Sequence, residues 1–457
     1  MSSNPIAAFL TRRNNGKLNI ISPGLSHYAF AEEGSKVRVH LRVDPDLSGL
    51  LSVNASRIYH LNPAAALIAF SILNKISKST TVDNLKLQFK VDSKTALADF
   101  ERFSETIQRV IHEDNSCPVC DLETDITQPF SANLSAPYRM DLALTYRCNN
   151  DCSHCYNARP RNYPERNTSD WKQILDKIWD VGIPHVVFTG GEPTLRPDLP
   201  ELIKYAETKG LLTGINTNGR KLKDPAFLAS LVDSGLDHVQ ITFESSNPDI
   251  HDQMVNSKGA WADTIKGIEN VLESSLYMMT NTTLLQTNKA DIKNTLILLA
   301  RIGVKTVGIN ALIYSGKGET VGTGLEESEV IPILEIAKTI TSENRQKLIW
   351  YTPTQYCHLD PVHLGFGVKG CSAALYNMCV EPDGEVIPCQ SYYESVGNML
   401  TGSWQNIWNH PLSTALRNRH FVHEECKICD LLPECGGGCP LAKDQFSPSA
   451  VRPTNWC

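Results

Sequence analysis

The stretch Arg139–Thr145, RMDLALT, is a short apolar strand that runs into YRCNNDCSHCYN (146–157), which carries Cys148, Cys152 and Cys155. One helical segment later HVVFTGGEPTL (185–195) repeats the plan, an apolar strand that ends in Gly190, Gly191 and Glu192. Three thiols at x3 and x2 spacing on one loop suit an iron–sulfur cluster, and three protein ligands on a [4Fe–4S] cube leave one iron free to bind something else. Spacing alone also admits zinc, with His154 or a distant cysteine as the fourth ligand. Glycines at a strand tip allow close backbone approach, and a carboxylate beside exposed carbonyls can hold an ammonium group.

The alternation continues outward from this pair of strands. Segment 170–181 places Trp171, Ile174, Leu175 and Ile178 at helical spacing. Helices over 198–209, 225–233, 261–272 and 290–302 alternate with strands over 211–216, 238–243, 277–284 and 306–311. Six βα-type repeats with short connections predict an α/β fold, a parallel sheet with outer helices, open or curled into a partial (βα)6 barrel of the TIM type. Chemistry in such folds sits where strands end and loops begin. The cysteine trio, Gly190–Gly191 and Glu244 all fall there.

In combination, YRCNNDCSHCYN, TGGEPTL (189–195), INTNG (215–219) and QITFESS (240–246) resemble the radical S-adenosylmethionine (SAM) superfamily over about residues 137–318. The resemblance implies that Cys148, Cys152 and Cys155 hold a [4Fe–4S] cluster whose free iron chelates the amino and carboxylate groups of SAM. Gly190, Gly191 and Glu192 would receive the amino group, Glu244 and Ser245 would contact the ribose, and Asn310 would border the adenine. His154 takes a place where the family often has an aromatic side chain, which implies packing against the cluster. The implied activity is reductive cleavage of SAM to a 5′-deoxyadenosyl radical, which can remove hydrogen from an unactivated carbon. The protein's part is then positioning and the exclusion of solvent.

A second pattern lies in the tail: Cys371-x12-Gly384-x4-Cys389, then Cys426-x2-Cys429-x5-Cys435-x3-Cys439, then seventeen residues and Cys457. These intervals resemble the SPASM domain, which holds auxiliary [4Fe–4S] clusters, and PDGEVIPC (382–389) reads as strand–turn–strand before a ligand. Carried over, Cys426, Cys429, Cys435 and Cys457 would bind the distal cluster, and Cys371, Cys389 and Cys439 the nearer one. Cys357 is the expected fourth ligand of the nearer cluster, with Cys379 as competitor; an open iron there could instead take a substrate thiolate. A pair of zinc knuckles is the bland alternative for the tail. Three clusters in all are expected.

The first 110 residues differ from both. KVRVHLRV (36–43) alternates, 51–61 can supply a further strand or turn, and three helical patterns follow over 63–76, 82–89 and 94–111. LSVNASRIYHLNPAAALIAFSIL (51–73) resembles the RiPP recognition element, the leader-peptide-binding module whose free-standing form is the small peptide chaperone of pyrroloquinoline quinone biosynthesis. Such modules take a peptide as an added strand. The alternative is a small winged-helix-like α+β domain that only packs on the barrel. The expected division is a leader-binding domain over 1–114, a linker with Cys117 and Cys120 over 115–136, a radical SAM core over 137–345 and a SPASM domain over 346–457.

Composition limits the rest. The chain has 457 residues with 14 cysteines and a net charge of −7, and no run approaches the ~20 apolar residues of a membrane helix. A mainly nucleic-acid-binding role is disfavoured, and without a secretory signal the expectation is a cytoplasmic protein whose cysteines bind metal rather than form disulfides. The expected function is maturation of a ribosomally made precursor peptide, by a thioether or carbon–carbon crosslink or by epimerisation, with electrons from a flavodoxin- or ferredoxin-type donor. Epimerisation needs a hydrogen donor, and Cys379 is the candidate. The alternatives are a sulfatase-maturing or tetrapyrrole-modifying radical SAM enzyme, or a non-catalytic iron–sulfur or zinc scaffold.

Overall fold

The computed structural model describes residues 21–32, 35–112, 130–131 and 133–442, with short strand pieces at 13–14 and 17–18. Cys117, Cys120 and Cys457 lie outside the described residues. The N-terminal module is an antiparallel meander of β1 (Gly24–Glu32), β2 (Ser35–Val43), β3 (Gly49–Val53) and β4 (Arg57–Leu61), followed by α1 (Pro63–Leu73), α2 (Lys78–Phe89) and α3 (Ser93–His112). Segment 51–61 thus resolves into a hairpin. β1 was not legible, because HYAFAE reads equally well as helix.

Alternation along β2 gives the module two faces. Val37, Val39, Leu41 and Val43 join its core with Leu51, Leu67 and Ile107. Asn62 accepts a hydrogen bond from the Ala65 amide at 2.9 Å and Pro63 opens the first turn, so LNPAA is an N-cap signature. α1 then lies so close to β3 that a Cβ on Gly49 would stand 2.9 Å from that of Ala66.

The barrel strands are β5 (Arg139–Thr145), β6 (His185–Gly190), β7 (Leu212–Thr217), β8 (His238–Thr242), β9 (Tyr277–Thr283) and β10 (Thr306–Asn310), all parallel. The crossovers include α4 (Thr168–Asp180), α5 (Leu199–Lys209), α6 (Pro225–Asp233), α7 (Pro248–Met254), α8 (Ala260–Leu272) and α9 (Ile292–Ile302). The expected sheet continues beyond six strands: α10 (Glu327–Glu343) leads to a seventh parallel strand, β11 (Lys347–Trp350). On the other side β12 (Asn377–Val380) pairs in parallel with β5, and β13 (Glu385–Ile387) and β14 (Gly397–Asn398) extend it antiparallel. The sheet is open, with β11 and β14 at its edges. One core runs from Met140, Trp171 and Phe188 to Trp350, Val386 and Trp408, so the cysteine-rich region shares its hydrophobic interior with the barrel.

The polar face of β2 meets the N-terminal end of the barrel. Arg38 Nη1 reaches Glu207 at 2.5 Å and Asp237 at 2.9 Å, and its Nη2 donates to the Leu211 carbonyl at 2.9 Å. His40 Nε2 lies 2.7 Å from the Gly210 carbonyl, and Arg42 donates to the Ala136 carbonyl at 2.9 Å. All three side chains are buried. Among the described residues no helix is long and apolar enough to cross a membrane.

Candidate active site

Cys148, Cys152 and Cys155 stand on the loop after β5, at the mouth of a cavity of about 1610 Å³ that the strands enclose. The loop has no secondary structure of its own and is held from outside. The amides of Asp151 and Ser153 donate to the carbonyls of Val255 and Met254, both at 2.9 Å, and the Lys317 amide donates to the Cys155 carbonyl at 2.9 Å. Arg220 donates to the Asn149 carbonyl at 2.8 Å and to Asn150 Oδ1 at 2.9 Å, while Arg161 binds the carbonyls of Cys148 and Asn150. Arg161, Arg220 and Lys317 were not anticipated, since an arginine that clamps a distant carbonyl leaves no spacing in sequence.

Burial pushes the Cys148 thiol up to about 11, with the Glu192 carboxylate adding to the rise. Cys152 and Cys155 are also raised by burial, and Cys152 further by Cys155 and by Glu244. These thiols are protonated when no metal is bound, so loading the site releases protons.

Gly190 and Gly191 line the cavity beside them. A Cβ on Gly190, which has φ +124°, would stand 2.1 Å from the Thr145 carbonyl oxygen, and one on Gly191 would stand 2.4 Å from that of Arg147. The glycines are therefore required by the cysteine strand itself as well as by any ligand. Glu192 is fully buried. Its Oε1 accepts from the Thr194 hydroxyl at 2.6 Å and the Thr217 hydroxyl at 2.7 Å, and its Oε2 from the Asn218 amide at 2.8 Å. Asn218 in turn donates to Asn149 Oδ1 at 2.7 Å, so this carboxylate ties the tips of β6 and β7 to the cysteine loop.

Glu244 and Asn310 also line the cavity. Glu244 Oε1 is 2.9 Å from His154 Nε2 and its Oε2 accepts from the Thr283 amide at 2.9 Å. A carboxylate only accepts, so His154 carries its proton on Nε2, and its buried Nδ1 has no protein partner. Asn310 Oδ1 accepts from Asn281 Nδ2 at 2.7 Å. Ser245 is turned away: its hydroxyl donates to Asp291 at 2.6 Å, beneath the turn that starts α7.

The tail thiols fall into two groups. Cys371, Cys389 and Cys439 line the same cavity as the first trio, and each is raised by burial, Cys439 up to about 12; Cys371 adds to the rise of both Cys389 and Cys439. Cys426 and Cys435 form the second group with Cys429, whose charge adds to the rise of both. Cys357 stands with this second group: burial, then Cys435 and Cys426, push it up to about 11, and the neighbouring Tyr356 amide donates to Cys435 Sγ at 3.4 Å. Cys379 is fully buried on β12 among Ala143, Tyr146 and Ile387, with Cys389 as the nearest cysteine to influence it.

The donor set fits the implied groups. Trios of thiols face one cavity from two sides, glycines clear its rim, and an unpartnered imidazole nitrogen stands beside the first trio. Among the described residues no three His, Cys, Asp or Glu side chains converge as a single-ion site.

Comparison with known proteins agrees. Residues 142–299 match the Radical SAM superfamily, and residues 371–430 match SPASM, an iron–sulfur cluster-binding domain. The mycofactocin maturase MftC of Mycolicibacterium smegmatis is 28% identical over 70% of this chain and 82% of its own. The AdoMet-dependent heme synthase of Methanosarcina barkeri is 26% identical over 67% and 92%. The PqqA peptide cyclase of Granulibacter bethesdensis is 27% identical over 67% and 83%. Among solved structures, Streptococcus suis SuiB bound to precursor peptide SuiA shares the fold, with a TM-score of 0.67 at 14% identity over 90% of this chain and 95% of that one. The chain is a radical SAM enzyme with a SPASM domain, whose cofactors are S-adenosylmethionine and [4Fe–4S] clusters.

Proposed function

We propose that the enzyme modifies a ribosomally made precursor peptide in the cytoplasm, forming a thioether or carbon–carbon crosslink or inverting a stereocentre. The observation that carries this reading is that Cys148, Cys152 and Cys155 share one cavity with Cys371, Cys389 and Cys439. At about 1610 Å³ it exceeds the ~300–1,000 Å³ of ordinary small-molecule pockets, so it has room for a peptide segment beside SAM. SAM bound at a reduced cluster supplies a 5′-deoxyadenosyl radical. Cys148, Cys152 and Cys155 would hold that cluster, and Gly190, Gly191, Glu244 and Asn310 would shape the SAM site. Cys371, Cys389 and Cys439 would hold a nearer auxiliary cluster, and Cys426, Cys429 and Cys435 a distal one, with Cys357 or Cys457. Electrons would come from a flavodoxin- or ferredoxin-type donor.

The N-terminal module supports a peptide substrate, since a meander followed by three helices offers an edge strand for a leader. MftC and PqqA peptide cyclase are relatives whose names point the same way. The test is co-expression with any short peptides encoded near the gene, read by mass spectrometry, with anaerobic 5′-deoxyadenosine formation from SAM and dithionite as control. A mass change that disappears when 1–112 are deleted is the expected result. The heme synthase likeness favours a second reading, oxidation or decarboxylation of a tetrapyrrole. Turnover of a haem precursor with no change to any neighbouring peptide would select it.

A further inference from the structure

A cation stands between the two thiol groups of the tail. Cys435 of the distal group and Cys439 of the nearer one are separated only by Gly436, Gly437 and Gly438, which hold φ of 64°, 81° and 80°. The two groups are therefore neighbours. A [4Fe–4S] core held by thiolates is net negative, so two such centres this close repel each other, and more so once reduced. Burial lowers the local dielectric and strengthens that repulsion. A buried charge of opposite sign offsets it.

Arg419 supplies it. The residue lies just past helix Pro411–Arg417 at φ 58°, a left-handed conformation uncommon outside glycine. Its Nη1 donates to the carbonyl of Cys371, in the nearer group, at 2.9 Å. A Cβ on Gly436, the residue after Cys435, would stand 3.1 Å from its Cζ, so the guanidinium also packs against the distal group's chain. The Phe130 ring covers it, with the centroid 4.6 Å from Cζ. Burial lowers the guanidinium from its ordinary value, and Cys371, Tyr376 and Cys435 act the other way. Two of those are thiols, one from each group, and the guanidinium keeps its charge. Among the described residues no carboxylate pairs with Arg419. Its Nη2 is buried and has no partner. A buried donor left unmatched is costly, so this one fits an acceptor that the protein chain does not itself provide.

We propose that Arg419 is the counter-charge shared by the two auxiliary clusters. Nη1 is fixed on the Cys371 carbonyl, Nη2 donates to a sulfur of a bound cluster, and the charge raises the reduction potential of both. The proposal rests on the assignment above of Cys371, Cys389 and Cys439 to one cluster and of Cys426, Cys429 and Cys435 to another. Reduction adds negative charge to a cluster, so a nearby cation favours the reduced form, and a hydrogen bond to sulfur acts in the same direction. Both clusters are then readier to take up an electron from the cavity that the nearer trio lines. Arg419 touches no substrate in this scheme and acts through the clusters alone.

The test uses the full-length chain carrying Cys148→Ala, Cys152→Ala and Cys155→Ala, so that only the auxiliary clusters remain. It is titrated anaerobically with dithionite and followed by EPR. Adding Arg419→Met should shift the reduction equilibrium of both clusters about tenfold toward the oxidised form, about 59 mV for one electron. Arg419→Lys keeps the charge and should shift them less. Unchanged midpoints, or a shift confined to one cluster, overturn the shared role. A second measurement serves even where Arg419→Met fails to load iron. With ¹⁵N-labelled arginine, pulsed EPR of the reduced clusters should show a ¹⁵N coupling that Arg419→Lys removes. No coupling in the labelled parent, or one that persists in Arg419→Lys, overturns the proposal and leaves the cluster assignment standing. A triple-alanine parent that binds no iron overturns the assignment itself.

Discussion

Gly190 shows how little freedom the reaction centre leaves to single residues. Its φ of +124° and the 2.1 Å clash that a Cβ would make with the Thr145 carbonyl mean that even alanine must push β5 and β6 apart. Gly190→Ala is expected to cost more than ~3 kcal/mol, within the range of mutations that strain a special backbone position. It should also lower SAM affinity at least tenfold by equilibrium dialysis. Glu192 makes a related case. Its carboxylate has only donors around it, so Glu192→Gln sets an N–H against one of them and leaves a buried group unsatisfied, at about 1–3 kcal/mol. Thermal denaturation should show that loss, and SAM binding should weaken as Asn218 and the cysteine loop shift.

Among the elements, β2 does two jobs through its two faces. Its apolar face builds the module and its polar face docks it, with Arg38, His40 and Arg42 all buried against the barrel. Removing one partner of a buried ion pair costs about 3–5 kcal/mol because the other charge stays behind. Arg38→Met, which takes the guanidinium away from Asp237 and Glu207, should therefore lower stability by up to about that amount in urea titrations. It should also make residues 35–112 more susceptible to limited proteolysis than in the unaltered protein. Intact resistance would mean that the docking is carried by His40 and Arg42 instead. At the other side of the sheet, β12 adds the cysteine-rich region to β5 as one more parallel strand, so Cys379 on β12 and Cys389 just after β13 belong to the sheet whose β5 leads to Cys148.

For the whole molecule, the seam between module and barrel carries a pH dependence. Burial lowers His40 to about 3 and His238 to about 4, and lowers His185 well below its usual value, so all three are neutral in the fold. Because the folded values lie below the unfolded value near 6.5, the unfolded chain binds more protons in acid. The stabilisation is complete above pH ~6.5 and is lost as pH falls toward 4, by on the order of a few kcal/mol. Tm measured anaerobically should fall between pH 7 and 5, and a His40→Gln/His238→Gln variant should fall less steeply. Equal slopes would place the acid sensitivity elsewhere.

Much of this protein could be read along the chain. The six strands and their helices, the thiol trio, the Gly190–Gly191 tip and the tail intervals are local patterns, because backbone periodicity and ligand spacing act over a few residues. The same is true of the LNPAA cap and of the turn that precedes β13. Other features depended on residues far apart in sequence. These include β11 and β12 joining the sheet, Ser245 turning to Asp291 and Arg220 and Arg161 clamping the cysteine loop. They also include Cys357 standing beside Cys435 and the module docking against the barrel. Each is a contact between segments separated by tens to hundreds of residues. Such contacts are selected by which surfaces bury together and which charges find partners, and the chain's own periodicity carries no mark of them.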